Sequence, residues 1–474
     1  MQKNNIKDIP NKTSHEQKYM QKFISSYIQR TKKSKHLTQQ YRPVLADNRV
    51  SAGFNFPFKE ILYPIVAKRS LGSRIWDVDG NEYIDLMMGL GVNLFGHNPP
   101  FIKEVLQEQL EKGIQLGPQS DMTGEVAELI CEFTGMERVT FSNTGTEAVM
   151  TAIRLARTVT GRNKIALFSD SYHGHSDGTL VKLEKIGSNL HTVPIAPGIP
   201  ANIAEDVLVL DYGNPQSLSI IQAHEQELAA VLVVPVPTTR PDLQPKIFLQ
   251  QLRQLTEQAG IALIFDEMVT GFRIHPGGAQ AWFGIKADIA TYGKIVGGGM
   301  PIGIIAGKAT YMDAIDGGMW NYGDDSSPTA KTTFFAGTFC KHPLAMAAAR
   351  AVLKYLKIQG ESLQKQLNQR TSEFVTALNV CFEKEELPIR MANFGSLFGL
   401  ASEENSTSEE NSATSQSMDL LRYYLLSKGV YLLRAGGYLS TAHTDEDISY
   451  VIGAVKESIG ELREAGFLPV LVKN

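Results

Sequence analysis

Cysteine is scarce in this chain: Cys131, Cys340 and Cys381 are the only three among 474 residues. Their spacing makes neither a disulfide framework nor a metal set, so inert thiols in a reducing, cytoplasmic setting are expected. No apolar run approaches the roughly 20 residues that cross a bilayer, and the opening MQKNNIKDIPNKTSHEQ lacks the apolar stretch of a secretory signal. No membrane partner is expected. Charge bias is also missing, since 46 basic and 50 acidic residues leave a net charge of −4 with both signs interspersed. That balance gives no large field for nucleic acid. The one basic cluster, Arg30 to Lys35, reads as a solvated helix end. The chain also shows no internal repeat.

What is present is a long chain of ordinary globular composition, 43% hydrophobic and 20% charged. It exceeds the roughly 250 to 300 residues at which one core stops growing, so more than one domain is predicted. Residues 1–60 read as an N-terminal helical appendage, with one amphipathic helix around Phe23, Ile24, Tyr27 and Ile28. Residues 61–100 open a smaller domain, and WDVDGNEYIDLMMG predicts a hairpin turning at Asp79, Gly80 and Asn81. In residues 101–345, helical patterns at about 102–113, 122–134 and 145–160 precede short apolar strands at 164–169, 207–210, 229–236 and 261–266. Such alternation predicts an α/β fold, a mainly parallel sheet with helices on both faces. The pattern continues with a helix from about Pro343 to Gln359 and then changes rhythm: helices over 360–383, 417–428 and 445–464 and strands near 388–401 predict a smaller α+β domain, residues 346–474. Within it SEENSTSEENSATSQS reads as an exposed, mobile loop.

Five features along this pattern carry chemistry. The strand IALIFD ends in Asp266, and ligands of open α/β sheets bind beyond the carboxyl ends of strands. In DIATYGKIVGGGMPIG, Lys294 follows a short strand and precedes three glycines, which let backbone approach a ligand. FSNTGTEAVMTAIRLAR is a small-residue turn opening a helix, whose free N–H groups suit a phosphate. Tyr172 and His173 stand in the turn SDSYHGHSDG, where an aromatic can stack on a flat ring. TFFAGTFCKHPLAMAAA is a second small-residue turn before a helix, around Gly337 and Thr338. Singly, each has an ordinary structural explanation: a cap, a surface lysine, a core aromatic. Together they supply an amine, an acid, a stacking ring and a phosphate cup, the parts pyridoxal phosphate requires.

On these motifs the chain from about Tyr63 to Gly466 resembles the fold-type I, class III pyridoxal-phosphate aminotransferases, and is similar to glutamate-1-semialdehyde aminomutase. RPVLADNRVSAGF, RPDLQP and GGMWNYGD are more similar still to the aminotransferase domains of hybrid polyketide and non-ribosomal peptide synthases. The resemblance implies a large domain with a mainly parallel seven-stranded sheet plus a smaller α+β domain. It implies Lys294 as the Schiff-base lysine and catalytic base, and Asp266 as partner of the pyridine nitrogen. It further implies Gly145 and Thr146 at the phosphate, Tyr172 and Met268 on the two ring faces, and His173 close by. Thr338 would reach the cofactor of a second subunit, which makes a homodimer the expected assembly.

An amino group would pass from a donor amino acid to a keto group of an acyl chain, a β-keto thioester on an acyl carrier protein. His173, Trp320 and Tyr322 are candidate groups on the substrate side. One departure stands out. Where relatives usually read Glu-Pro-Val-Gln, this chain has Val234, Pro235, Val236 and Pro237, whose side chains cannot hydrogen-bond. Thr238 or Thr239 could substitute; otherwise the same cofactor would serve an aminomutase, a decarboxylase, an oxidase or a scaffold without catalysis.

Overall fold

The computed structural model describes residues 14–48, 54, 56–187, 189–401, 419–433 and 436–468. Its centre is a seven-stranded sheet in the order Arg138–Ser142, Gly303–Gly307, Ile289–Gly293, Ala262–Asp266, Leu228–Val233, Lys164–Phe168 and Val207–Leu210. Only Gly303–Gly307 runs antiparallel to its neighbours, so the sheet is mainly parallel, as the alternation of strands and helices implies. Its central strands are buried throughout, consistent with their unbroken apolar runs and with helices covering both faces. The Leu228–Val233 strand stops before the expected 236. Pro235 and Pro237 explain this, because neither can donate to the ladder.

Register brings the chemistry together at one edge of this sheet. Asp266 ends its strand opposite Thr291 of the next one, and Lys294 follows that strand directly after Gly293. A second, four-stranded sheet joins Ala67–Leu71, Arg74–Asp77 and Glu82–Asp85 to Val430–Tyr431, from the far end of the chain. A three-stranded sheet follows, from Met391–Phe394, Leu397–Leu400 and Gly436–Tyr438. The hairpin Val181–Ile186 with Asn189–Pro194 is an addition that the sequence pattern does not announce. The loop read at 402–417 lies outside the described residues.

The N-terminal region departs from expectation twice. It forms two helices, Ser14–Arg30 and Lys32–Tyr41, where one was expected. The first is no loose appendage: Phe23 stacks on Tyr424 at 4.2 Å, and Tyr27 meets Tyr423 edge to face at 5.6 Å while fully buried. The basic cluster sits at the junction, where Asp79 accepts from the backbone N–H of Lys33 (2.7 Å) and Ser34 (3.1 Å). A turn distant in sequence thereby caps the second helix. Among the described residues no helix is long and apolar enough to cross a membrane.

Candidate active site

A cavity of about 710 Å³ opens at the carboxyl edge of the large sheet. Asp266 and Lys294 are at its floor, Gly145, Thr146, Tyr172, His173 and Met268 line it, and so do Val234, Pro237, Thr238 and Thr239. Seven of the eight residues expected at the cofactor thus meet in one place. Thr338 does not; it lines a separate cleft of about 500 Å³ with Gln115, Pro118, Phe335 and Lys341. Trp320 and Tyr322 also stand apart from the cavity lining, paired edge to face at 4.7 Å, with Tyr322 almost wholly exposed.

The floor is an arranged set of polar groups. Asp266 is buried, its Oδ2 accepting from His173 Nδ1 at 2.8 Å and its Oδ1 from the Met268 N–H at 3.2 Å and the Thr291 hydroxyl at 3.4 Å. With Nδ1–H committed to Asp266, the buried Nε2 of His173 has no partner among the described residues. His173 therefore stands beside Asp266 in the cavity lining and orients it. Lys294 follows Gly293 in a left-handed conformation, φ 47°, a strained state that tends to persist where function requires it. Burial pushes its amine below the ordinary lysine value; Asp266 pulls it back up, and the Arg273 charge pushes it down again. No hydrogen bond holds that amine among the described residues.

The phosphate-cup candidate is the start of the Gly145–Thr160 helix, capped by the Thr144 side chain accepting from the Glu147 N–H. Glu147 in turn accepts from the Asn143 N–H at 2.7 Å. These bonds consume the donors around the first turn but leave those of Gly145 and Thr146, two residues of the cavity lining, without a partner among the described residues. Met268 explains two glycines: a Cβ at Gly145 or at Gly293 would come within 2.9 or 2.8 Å of its sulfur. Below the floor, the wholly buried Glu267 accepts from Thr270, Ala279 N–H and Gln280 N–H, and burial raises its carboxyl to about 7.

The outer wall comes from outside the large sheet. Leu90 and Val92 line the cavity from one turn, and Tyr438 from the edge of a three-stranded sheet. Met88, Gly89, Leu90 and Gly91 have φ of 46°, 63°, 58° and 88°, a single left-handed turn that costs the L-residues roughly 1–2 kcal/mol each. Asp85 fixes its entry by accepting from the N–H groups of Met87 (2.8 Å) and Met88 (3.0 Å). Arg273 fixes its exit by donating to the Gly91 carbonyl. Sequence reasoning passed over Leu90, Tyr438, Arg273 and Asp170, all four in or behind the cavity wall. The doubled glycines in MMGLG were the one available signal.

A lysine amine, a buried acid with an orienting histidine, and unpaired helix N–H groups around one cavity fit pyridoxal phosphate, and the orphaned His173 nitrogen marks the floor as polar. Comparison with known proteins decides the family, since the class-III aminotransferase model matches residues 58–444. This chain belongs to the class III aminotransferases. It is 35% identical over 448 residues to a glutamate-1-semialdehyde 2,1-aminomutase of Exiguobacterium, covering 91% of this chain and 98% of that protein. It is similar in structure to an omega-transaminase from Sphaerobacter thermophilus, with TM-score 0.81, 28% identity and coverage of 91% and 98%. A β-phenylalanine aminotransferase from Variovorax paradoxus is similar at TM-score 0.78 and 28% identity, with coverage of 94% and 98%. The chain is thus a pyridoxal-phosphate-dependent transaminase of fold type I.

Proposed function

We propose that this transaminase moves an amino group from a donor amino acid to a keto carbon on an acyl chain, with Lys294 as the residue that holds the cofactor. The observation that carries the reading is the Lys294 amine, without a hydrogen bond among the described residues, at the floor of a cavity whose acid, Asp266, is already oriented by His173. When bound, pyridoxal phosphate supplies a carbonyl carbon that accepts the amine and a ring that withdraws electrons. The Asp266 carboxylate would keep a proton on the ring nitrogen, and the Gly145 and Thr146 N–H groups would bind the phosphate. Tyr172 and Met268 would pack against the ring, and Lys294 Nζ would serve as the base that moves the substrate's proton. Its lowered basicity favours the neutral, proton-accepting form.

An acyl acceptor is supported by the wall of Leu90, Val92, Val234, Pro237, Met300 and Ile302, and by a rim where Leu90 and Tyr172 are exposed. A chain tethered to a carrier protein could enter there as a β-keto thioester. Thr238 and Thr239 offer hydroxyls beside Val234 and Pro237, which supports local compensation for the absent Glu and Gln. A homodimer is supported by the second cleft, where Thr338 lies, and by the exposed Phe334 and Phe339 close to it in sequence. A second reading, an internal shift of the amine within one substrate, is favoured by the 35% identity to a protein named as an aminomutase.

The test is a half-reaction. The holoenzyme is mixed with a panel of amino acids while the visible absorbance of bound cofactor is followed. Loss of that band with one donor, and its return on adding a β-keto thioester, is the expected result. Failure with every donor while cofactor stays bound would sink the transfer reading and favour the internal shift.

A further inference from the structure

Arg273 is the largest fully buried side chain among the described residues, and no carboxylate among them pairs with it. Burying a cation without a counter-ion is unfavourable, so its retention calls for a use. Burial pulls it down to about 10, still charged at neutral pH. Its donors are spread over three pieces of chain: Nε to the Val269 carbonyl at 2.9 Å, one terminal nitrogen to the Ser396 hydroxyl at 2.9 Å, the other to the Gly91 carbonyl. Its plane also lies over the Tyr438 ring, 4.8 Å from the centroid. Val269 and Tyr438 line the cavity, and Gly91 sits between Leu90 and Val92, which line it too.

One guanidinium therefore gathers the turn after Asp266, the left-handed turn and the Tyr438 strand. The approach is so close that a Cβ on Gly91 would stand 2.8 Å from the Tyr438 ring and 2.9 Å from Arg273. A left-handed turn bearing Met88 and Leu90 does not persist by its own preference. We propose that Arg273 is a positioning residue: it pins Leu90, Val92 and Tyr438 as a fixed substrate wall facing Lys294, and it holds an uncompensated positive charge behind them. This rests on the reading of Lys294 as the cofactor lysine. The titratable groups around Lys294 are Asp266, Asp170, His173, Tyr172 and Tyr438 in the cavity, with Arg273 behind. Arg273 is the one fixed positive charge of this set.

Two variants separate its tasks. Arg273→Lys keeps the charge and loses the planar fork; Arg273→Gln loses both. In the holoenzyme, Arg273→Lys is expected to raise the donor KM of the half-reaction about tenfold or more. It should also speed hydrogen exchange at residues 88–93 while the pH at which the cofactor absorbance titrates stays put. Arg273→Gln should do the same and move that titration to higher pH. Should either fail to fold, Ser396→Ala removes one acceptor and keeps Arg273, with an expected KM rise of about two- to fivefold and faster exchange at 88–93. Wild-type KM and wild-type exchange in every variant that folds would overturn the proposal. A wild-type enzyme that shows no half-reaction, yet whose exchange at 88–93 rises in the variants, would sink the function reading and leave the pinning role standing.

Discussion

At the floor of the cavity Asp266 pairs in register with Thr291 of the neighbouring strand, and Lys294 follows directly where that strand ends at Gly293. In the outer wall Leu90, Val92 and Tyr438 come from opposite ends of the chain, joined by a 2.7 Å backbone bond from Tyr438 N–H to the Leu86 carbonyl and bridged by Arg273. The floor is positioned by backbone ladders, the cheapest way to fix an atom; in the wall Tyr438 is laddered against Leu397, but the strained turn carrying Leu90 is held by side-chain hydrogen bonds with Asp85 and Arg273. The difference suits a family that keeps one chemistry and varies its substrates, because the wall can change without disturbing the sheet.

The largest effects should come from the floor. Lys294→Ala is expected to abolish the visible absorbance of covalently held cofactor and to lower turnover on the order of 10⁴-fold, the upper range for a general acid-base group. Stopped-flow and steady-state rates check this. Asp266→Asn keeps the shape and removes the charge, so turnover should fall roughly 10²- to 10³-fold with cofactor still bound. Equal kcat in wild type and this variant would show that the floor acts only as a frame.

In the wall, Gly91→Ala should act on stability and KM more than on chemistry. Its φ of 88° and the contacts its Cβ would make predict a loss of about 1–3 kcal/mol in urea unfolding. A neutral result would mean that the wall is pliant and the contrast with the floor is wrong. The smallest effect concerns Glu267. Its folded carboxyl, at about 7 against the ordinary 4.5, binds a proton the unfolded chain releases. That contribution is fully present below about 4.5 and is lost as pH rises to about 7. Glu267→Gln should lower stability at every pH, since Gln cannot accept from both N–H groups and Thr270, but flatten this slope. An unchanged slope in a pH series of melts would contradict the assignment.

How much of this could be read in the sequence follows the same division. Asp266, Lys294 and the start of the Gly145–Thr160 helix announce themselves because each sits where a local pattern ends, an apolar strand or a small-residue turn. Arg273 does not, since its partners Ser396 and Gly91 lie 123 and 182 residues away. Trp320 and Tyr322, aromatic residues in a glycine-rich stretch, stand clear of the lining of this cavity. Two prolines ended the Leu228–Val233 strand early, and the N-terminal helix broke in two at Thr31 because Asp79 caps a new start there.

The central claim is that one lysine, at the floor of this cavity, holds the cofactor. Reduction of the holoenzyme with borohydride, followed by digestion and mass mapping, tests it without any assumption about substrate. A cofactor adduct on the peptide containing Lys294 is the predicted result. An adduct on another lysine, or none while cofactor remains bound, would contradict it.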